Sequence, residues 1–404
     1  MSDGFDAAAA LSARARVTDE GAIIRMSQRT RSLRAMGRDV VALTLGEPDF
    51  DTPANVRQAA ARAMDAGHTH YAPVAGIPEL RAAIAEKLRR ENGLAYEAHH
   101  IVVANGAKQA INNALLSLIE PGDEVVIPAP FWLSYEASVR FAGGTAVVLP
   151  ATVREGYKVP ADRIAAALTS RSKLLIINSP SNPTGALWTR EELQAVADVV
   201  SRHPRLLVLS DEIYEYIVFD GAMVSFGALP GMWERTITLN GFSKGFAMTG
   251  WRLGYAAAPE PVAASMARMQ SIISAGANAF VQHAAIAALQ GPQDEVRRMR
   301  ESYRARRNKV LEALRNMKHL TVAPIPATFY AFPDVSRALG LKAGNHAVHS
   351  VEDLCDWLLE EHGVATVPGS AFGAPQSIRL SFATSDADLD KALPRLAGAF
   401  ALLA

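Results

Sequence analysis

Six short runs in this chain are apolar almost from end to end: 101-IVVA-104, 124-EVVIP-128, 145-TAVVLP-150, 173-KLLIIN-178, 205-RLLVLS-210 and 235-RTITLN-240. A strand with one face in water alternates polar and apolar residues, whereas a strand covered on both faces is apolar throughout. The runs therefore predict an α/β fold with a mostly parallel sheet between helices. Helical patterns separate them. After Thr52 and Pro53, read as an N-cap and first helical position, Val56, Ala59, Ala60, Ala63 and Met64 share one face, and Gly67 closes the helix. Leu80, Ala83, Ile84 and Leu88 point inward behind Pro78, and Ile111, Ala114, Leu115 and Leu118 keep the same period. Thr189 and Glu192 stand in capping-box spacing before another helix. Open α/β sheets bind ligands beyond the carboxyl ends of their strands. The residues that follow each run are thus the place to look for chemistry.

A chain of 404 residues is too long for one small core. The pattern changes near residue 295, where a charged helix over roughly 294–317 leads into a mixed region. That region holds a helix in 351-VEDLCDWLLEEHG-363 and a strand in 378-IRLSFA-383. The expected division is a large domain over 51–294 and a small C-terminal domain over 295–404, with segment 1–50 packed on the latter. Lys plus Arg and Asp plus Glu number 41 each, a balance that argues against a nucleic-acid partner. No run reaches the length of a membrane span. Asp3 and Asp6 stand where a signal peptide needs positive charge, so the start reads as a frayed or helical leader. The single cysteine, Cys355, rules out internal disulfides and Cys-based metal clusters, and suits a cytoplasmic location. No metal is implied.

Polar groups gather where the runs stop. Lys244, four residues past 235-RTITLN-240, read alone is a solvated loop lysine. Asp211 and Glu212 follow 205-RLLVLS-210, with Tyr214 close by; Asp211 is either a helix N-cap or an acid that needs a positive partner. The turn 179-SPSNPTG-185 presents Asn182, or is only a tight turn. In 105-NGAKQA-110, Gly106 lets backbone N–H groups at a helix start approach an anion, a weak signal by itself. Phe131 and Trp132 end another run; Trp132 is either core or a lid for a flat ring. One ligand could use all of these: a flat aromatic ring with a phosphate, a basic ring nitrogen and an amine-reactive carbonyl. Pyridoxal 5′-phosphate has each feature.

The motifs LGEPDFDTP (45–53), YAPVAGIPELR (71–81), NGAKQA, SPSNPTGA (179–186), SDEIYEY (210–216), SKGFAMTGWRLGY (243–255) and RLSFATS (379–385) together resemble class I aminotransferases of the bacterial aspartate aminotransferase branch, from about residue 20 onward. The resemblance implies the pyridoxal-phosphate-dependent transferase fold, with the cofactor carried on Lys244 as a Schiff base and Asp211 paired with its ring nitrogen. It further implies that Asn182 and Tyr214 bond the phenolate oxygen and that Trp132 stacks on the ring. The phosphate falls to Gly106, Ala107, Lys108, Ser243 and Arg252, with Tyr71 crossing from the other subunit of a homodimer. Arg379, helped by Gly46 and Asn182, holds the substrate α-carboxylate. Apart from the family, alternation of Ile378, Leu380 and Phe382 turns Arg379 away from their face, and a planar bidentate donor suits a carboxylate.

The expected reaction moves an amino group from an L-amino acid, aspartate or glutamate first, to a 2-oxo acid such as 2-oxoglutarate. Lys108 can meet the side-chain carboxylate of such a donor. Relatives carry a Ser-Ala-Thr motif near the N-terminus where this chain has 21-GAII-24, and Ile23 in place of the threonine leaves aromatic, prephenate-like or aliphatic donors as alternatives. A different reaction on the same cofactor, such as a lyase, is a further alternative. Two other departures are Gly241, where relatives often carry Ser or Thr, and Ala327, where they carry glycine. The absence of GxGxxG disfavours a nicotinamide dehydrogenase, and the first 45 residues lack a basic two-helix pattern for a DNA-binding regulator.

Overall fold

The computed structural model describes residues 8–12, 15 and 21–404; the leader reading around Asp3 and Asp6 lies outside them. Strands are numbered along the chain. β1 is Val41–Ala42, β2 Ile101–Ala104, β3 Glu124–Ala129, β4 Thr145–Pro150, β5 Ser172–Asn178, β6 Leu207–Asp211, β7 Thr236–Gly241 and β8 Gly254–Ala257. The short C-terminal strands are β9 Tyr330–Ala331, β10 Lys342–Ala343, β11 His346–Ala347, β12 Val364–Ala365, β13 Val367–Pro368 and β14 Ile378–Ser381.

Seven strands form the main sheet in the order β2-β8-β7-β6-β5-β3-β4. The strands from β3 to β7 pair in parallel, and only β8 runs against its neighbours β2 and β7. Side chains alternate across the sheet as the pleat requires. Val125, Ile127, Leu174 and Ile176 pack with the helix Ala107–Leu118, and Val126, Leu175, Ile177 and Val208 pack with Leu193 and Val196 of the helix Arg190–Ser201. Full burial of each such side chain contributes about 1.5–3 kcal/mol, which is why both faces are covered. The edge strand β4 is the exception, with both its ends exposed.

Three local expectations need correction, and one strand went unsignalled. Pro53 is itself the N-cap of the helix Ala54–Asp65, and the Thr52 hydroxyl instead donates to the Ala247 carbonyl at 2.6 Å. Met64 lies 46% exposed, off the buried face. Asp211 caps no helix: the chain after it turns, with Ile213 N–H donating to Asp211 Oδ1 at 3.2 Å. β8 carries no sequence signal, because Gly254-Tyr255-Ala256-Ala257 is too short and too small-chained to read as a strand.

In the C-terminal region β13, β14 and β9 form an antiparallel sheet, with Val367 opposite Arg379 and Ser381 opposite Tyr330. β1 pairs in parallel with β12, and Arg306 of the helix Asp294–Arg315 bonds Asp49 at 2.8 Å, so residues on both sides of Gly46 are tied to C-terminal elements.

Candidate active site

The strands β5 and β6 end in register, Asn178 beside Asp211, and their following loops open on a cavity of about 500 Å³. Asp211 is 4% exposed. Tyr135 donates its hydroxyl to Asp211 Oδ2 at 2.6 Å, and the Asn178 side chain donates to the Asp211 carbonyl at 2.9 Å. Burial pushes the Asp211 carboxyl up, opposed by the Tyr135 hydroxyl, the Ile213 amide and the Lys244 charge. A buried carboxylate in this position gains from any cation that enters beside it.

Lys244 follows β7 by three residues and reaches back over the cavity, where Nζ donates to the Gly46 carbonyl at 2.5 Å. Burial pushes its ammonium down to about 8; Glu47 pulls it back up, and Arg379 and Arg252 push it further down. Across the cavity, Asn182 Nδ2 lies 3.5 Å from the Tyr214 hydroxyl, which is 2.9 Å from the Tyr330 hydroxyl. Asn182 is held by its own turn, its N–H donating to Asn178 Oδ1 at 2.8 Å.

Arg379 is 1% exposed. It donates to Asn182 Oδ1 at 3.3 Å and to the Thr44 carbonyl at 2.7 Å, while its Nε has no partner. Burial pushes this guanidinium down, with Tyr330 and Tyr214 acting against that. A donor-only group so enclosed is suited to an anionic ligand.

At the opposite wall the helix Ala107–Leu118 begins. Gly106, its N-cap at φ 83°, leaves room that a side chain would fill: a Cβ there would lie 2.7 Å from Arg252 Nη2. Arg252, itself at φ 55°, donates to the Thr249 carbonyl at 3.0 Å. Ala107, Lys108, Ser243 and Arg252 line the cavity, so helix N–H groups, a hydroxyl and a guanidinium converge there. Lys108 Nζ stands 5.0 Å over the Trp132 ring, and its ammonium is lowered by burial and by Arg252. Trp132 lines the cavity edge-to-face with Tyr135 at 5.4 Å, whereas Phe131 is buried and would touch a Cβ at Gly373. Ile23 also lines the cavity. Tyr71 does not; it is 97% exposed.

Sequence reasoning missed Tyr135, Tyr330, Glu47 and Thr249. Tyr135 lies within the 128-PAPFWLSY-135 stretch that follows β3, and that place was the one signal available. Gly241 also has a clear physical reason. A Cβ on it would lie 2.8 Å from Gly254 Cα, so β7 and β8 touch backbone to backbone. Gly241→Thr is expected to destabilise the fold by about 1–3 kcal/mol through overpacking, read as a lower midpoint in urea unfolding.

A mostly parallel sheet between helices, with a lysine just beyond a central strand and a smaller α+β part beside the strand ends, is the aspartate-aminotransferase-like fold of pyridoxal-phosphate-dependent transferases. A model of the family described as aminotransferase class I and II matches residues 38–396. The aspartate/prephenate aminotransferase of Cereibacter sphaeroides is 45% identical over 376 residues, 92% of this chain and 94% of that protein. The crystal structure of the Rhizobium meliloti aspartate aminotransferase is similar with a TM-score of 0.95 at 40% identity, covering 99% of this chain and 100% of its own. Thermus thermophilus aspartate aminotransferase with maleate gives a TM-score of 0.90 at 41% identity, covering 96% and 99%. The chain belongs to the class I and II aminotransferase family and is an aminotransferase.

Proposed function

We propose that the cavity binds pyridoxal 5′-phosphate and transfers the amino group of aspartate or glutamate to a 2-oxo acid such as 2-oxoglutarate. One observation carries the reading: Lys244, with its ammonium lowered to about 8, and the buried carboxylate of Asp211 face the same cavity. The residues present fit the group. Asp211 would meet the protonated ring nitrogen, Asn182 and Tyr214 the phenolate oxygen, and Trp132 a ring face. Gly106, Ala107 and Lys108 through backbone N–H groups, with Ser243 and Arg252, would hold the phosphate. Bound there, the cofactor supplies the conjugated ring that accepts electrons when a donor loses its Cα proton.

The protein's own part follows from the geometry. Arg379, with Gly46 and Asn182, holds the donor α-carboxylate and so fixes which Cα bond faces Lys244. Lys244 Nζ, in its neutral form, takes the Cα proton of the donor and in the second half returns one to the Cα of the incoming oxo acid. Asp211 keeps the ring nitrogen protonated. Lys108 reads the distal carboxylate of an acidic donor, a choice supported by the maleate bound to the Thermus thermophilus relative.

The active form in this reading is a homodimer in which Tyr71 reaches the phosphate of the other subunit. Its exposure, and that of Ile272 and Ile273, supports that. The described part of segment 1–50 packs with a small domain over 295–404, beside a large domain over 51–294, as the β1–β12 pairing supports. We place the enzyme in the cytoplasm, on its lone unpaired Cys355.

The test is to mix the cofactor-loaded enzyme with single amino acids, without oxo acid, and follow the cofactor absorbance. Aspartate and glutamate are expected to convert at least about tenfold faster than phenylalanine or leucine. The reverse order overturns the acidic-donor reading. It would favour aromatic or aliphatic donors, to which Ile23 in the cavity wall points.

A further inference from the structure

Tyr330 lies in the 324-PIPATFYAF-332 stretch that holds Ala327, with no role assigned to it from sequence, yet its hydroxyl sits where three parts of the site meet. It is 2.9 Å from the Tyr214 hydroxyl. A Cβ on Gly46, whose carbonyl takes the Lys244 hydrogen bond, would lie 2.6 Å from it. The Arg379 guanidinium lies 4.7 Å over the centre of its ring, with Phe372 on Arg379 at 4.9 Å. The side chain is 1% exposed.

The backbone that aims this hydroxyl is held tightly. Thr328, two residues earlier, adopts φ 63°, a conformation that a β-branched residue avoids. Such strain persists only where the surroundings over-determine it. Here Thr328 N–H donates to the Ile217 carbonyl at 2.8 Å, Ala327 N–H to the Gly185 carbonyl at 3.2 Å, and Phe219 N–H to the Pro326 carbonyl at 2.8 Å. Ile217 follows Tyr214 by three residues, and Gly185 closes the turn that carries Asn182. The turn before Tyr330 is therefore stitched to the two loops that present Tyr214 and Asn182.

Arg379 only donates, so the Asn182 oxygen faces it and the Asn182 NH₂ faces Tyr214. Of the two tyrosines, Tyr330 has the Arg379 guanidinium 4.7 Å over its ring and is the stronger donor; burial raises both hydroxyls and Arg379 opposes this at both, while the Asp211 charge raises Tyr214 further. With Tyr330 and Asn182 both donating to it, the Tyr214 oxygen has its lone pairs filled and its own O–H is turned to the cavity. We infer that Tyr330 is a positioning residue: its hydroxyl fixes the direction in which Tyr214 donates and couples that donation to the charge of Arg379. The inference rests on the reading above, in which Tyr214 faces the cofactor's phenolate oxygen and Arg379 the substrate carboxylate.

Chains of hydrogen bonds strengthen one another. A donor to the phenolate oxygen stabilises the more negative protonation state of the bound cofactor, so it lowers the apparent pKa of its visible absorbance. A carboxylate on Arg379 screens the charge over the Tyr330 ring, weakens its donation and raises that pKa.

The experiment titrates the absorbance of the cofactor-loaded enzyme against pH, alone and with succinate, a dicarboxylate that has no amine to transfer. Four proteins are compared: wild type, Tyr330→Phe, Tyr214→Phe and Phe372→Leu. Tyr330→Phe is expected to raise the apparent pKa by about half a unit to one unit, less than Tyr214→Phe does, and to shrink the rise that succinate causes. Phe372→Leu removes the other ring on Arg379 but keeps the hydroxyl pair, and should leave the succinate-free titration in place. A Tyr330→Phe curve superimposed on wild type, with Tyr214→Phe displaced, overturns this inference alone. Curves unmoved in both tyrosine variants overturn the placement of Tyr214 as well. Equal displacement by Phe372→Leu and Tyr330→Phe would assign the effect to disturbance of Arg379 and also overturn it.

Discussion

Lys244→Ala should keep pyridoxal 5′-phosphate bound but lose turnover by about four orders of magnitude, the upper range for removal of a general acid–base group. The helix start at Gly106, Arg252 and Asp211 all remain, so binding has its anchors, while the group poised to move the Cα proton is gone. Cofactor retained through gel filtration, together with kcat, checks this. Turnover within tenfold of wild type would sink the assignment. A pH signature accompanies it. Wild-type protein stripped of cofactor should couple to pyridoxal 5′-phosphate with a midpoint near 8, because only the neutral amine attacks and burial has lowered Lys244 to about 8. The rate rises with pH through that point and then levels. Borohydride trapping followed by peptide mass reads it, and an ordinary lysine would give a midpoint of about 10.4.

The second large effect is expected for Asp211→Ala, which removes the carboxylate that lines the cavity at the end of β6 and leaves a bound cation unpaired. Loss of one partner from a buried pair costs about 3–5 kcal/mol, so kcat should fall by about 10²–10⁴-fold. The Tyr135 hydroxyl and Ile213 amide, which now donate to that carboxylate, lose their acceptor too. Tyr135→Phe provides the scale: one hydrogen bond to a charged group contributes about 1.5–3 kcal/mol, so this variant should fall by about tenfold to a hundredfold. A Tyr135→Phe loss equal to that of Asp211→Ala would mean that orientation, not charge, is what the aspartate supplies.

The parallel sheet and the places where ligand-facing residues emerge could be read from the chain because continuous apolar runs leave few alternatives. Asp211, Asn182 and Lys244 are each polar groups within four residues of the end of such a run, and the structure gathers them around one cavity. β8 was not legible, since glycine and alanine carry neither a β-branched nor an alternating signal. Tyr330 was not legible for a different reason. It sits after an irregular proline-containing stretch, and its position comes from backbone bonds to Gly185 and Ile217, distant in sequence. Tyr71 shows the third kind of limit: it is exposed on a single chain, and the use proposed for it needs a second copy.

The glycine contact between β7 and β8 extends one step further. A Cβ on Gly254 would lie 2.5 Å from the Ala107 amide nitrogen, so two strands and the start of the helix meet with no side chain between them. Positions around the cavity then divide into two classes under random substitution. Changes at Lys108, Trp132 or Ile23 alter what the pocket accepts while the chain still folds. At Gly241 and Gly254 any side chain displaces main chain that is shared by the scaffold and the anion-facing amides. Expression and activity should fall together there, leaving no folded but inactive variants to be recovered from those two sites.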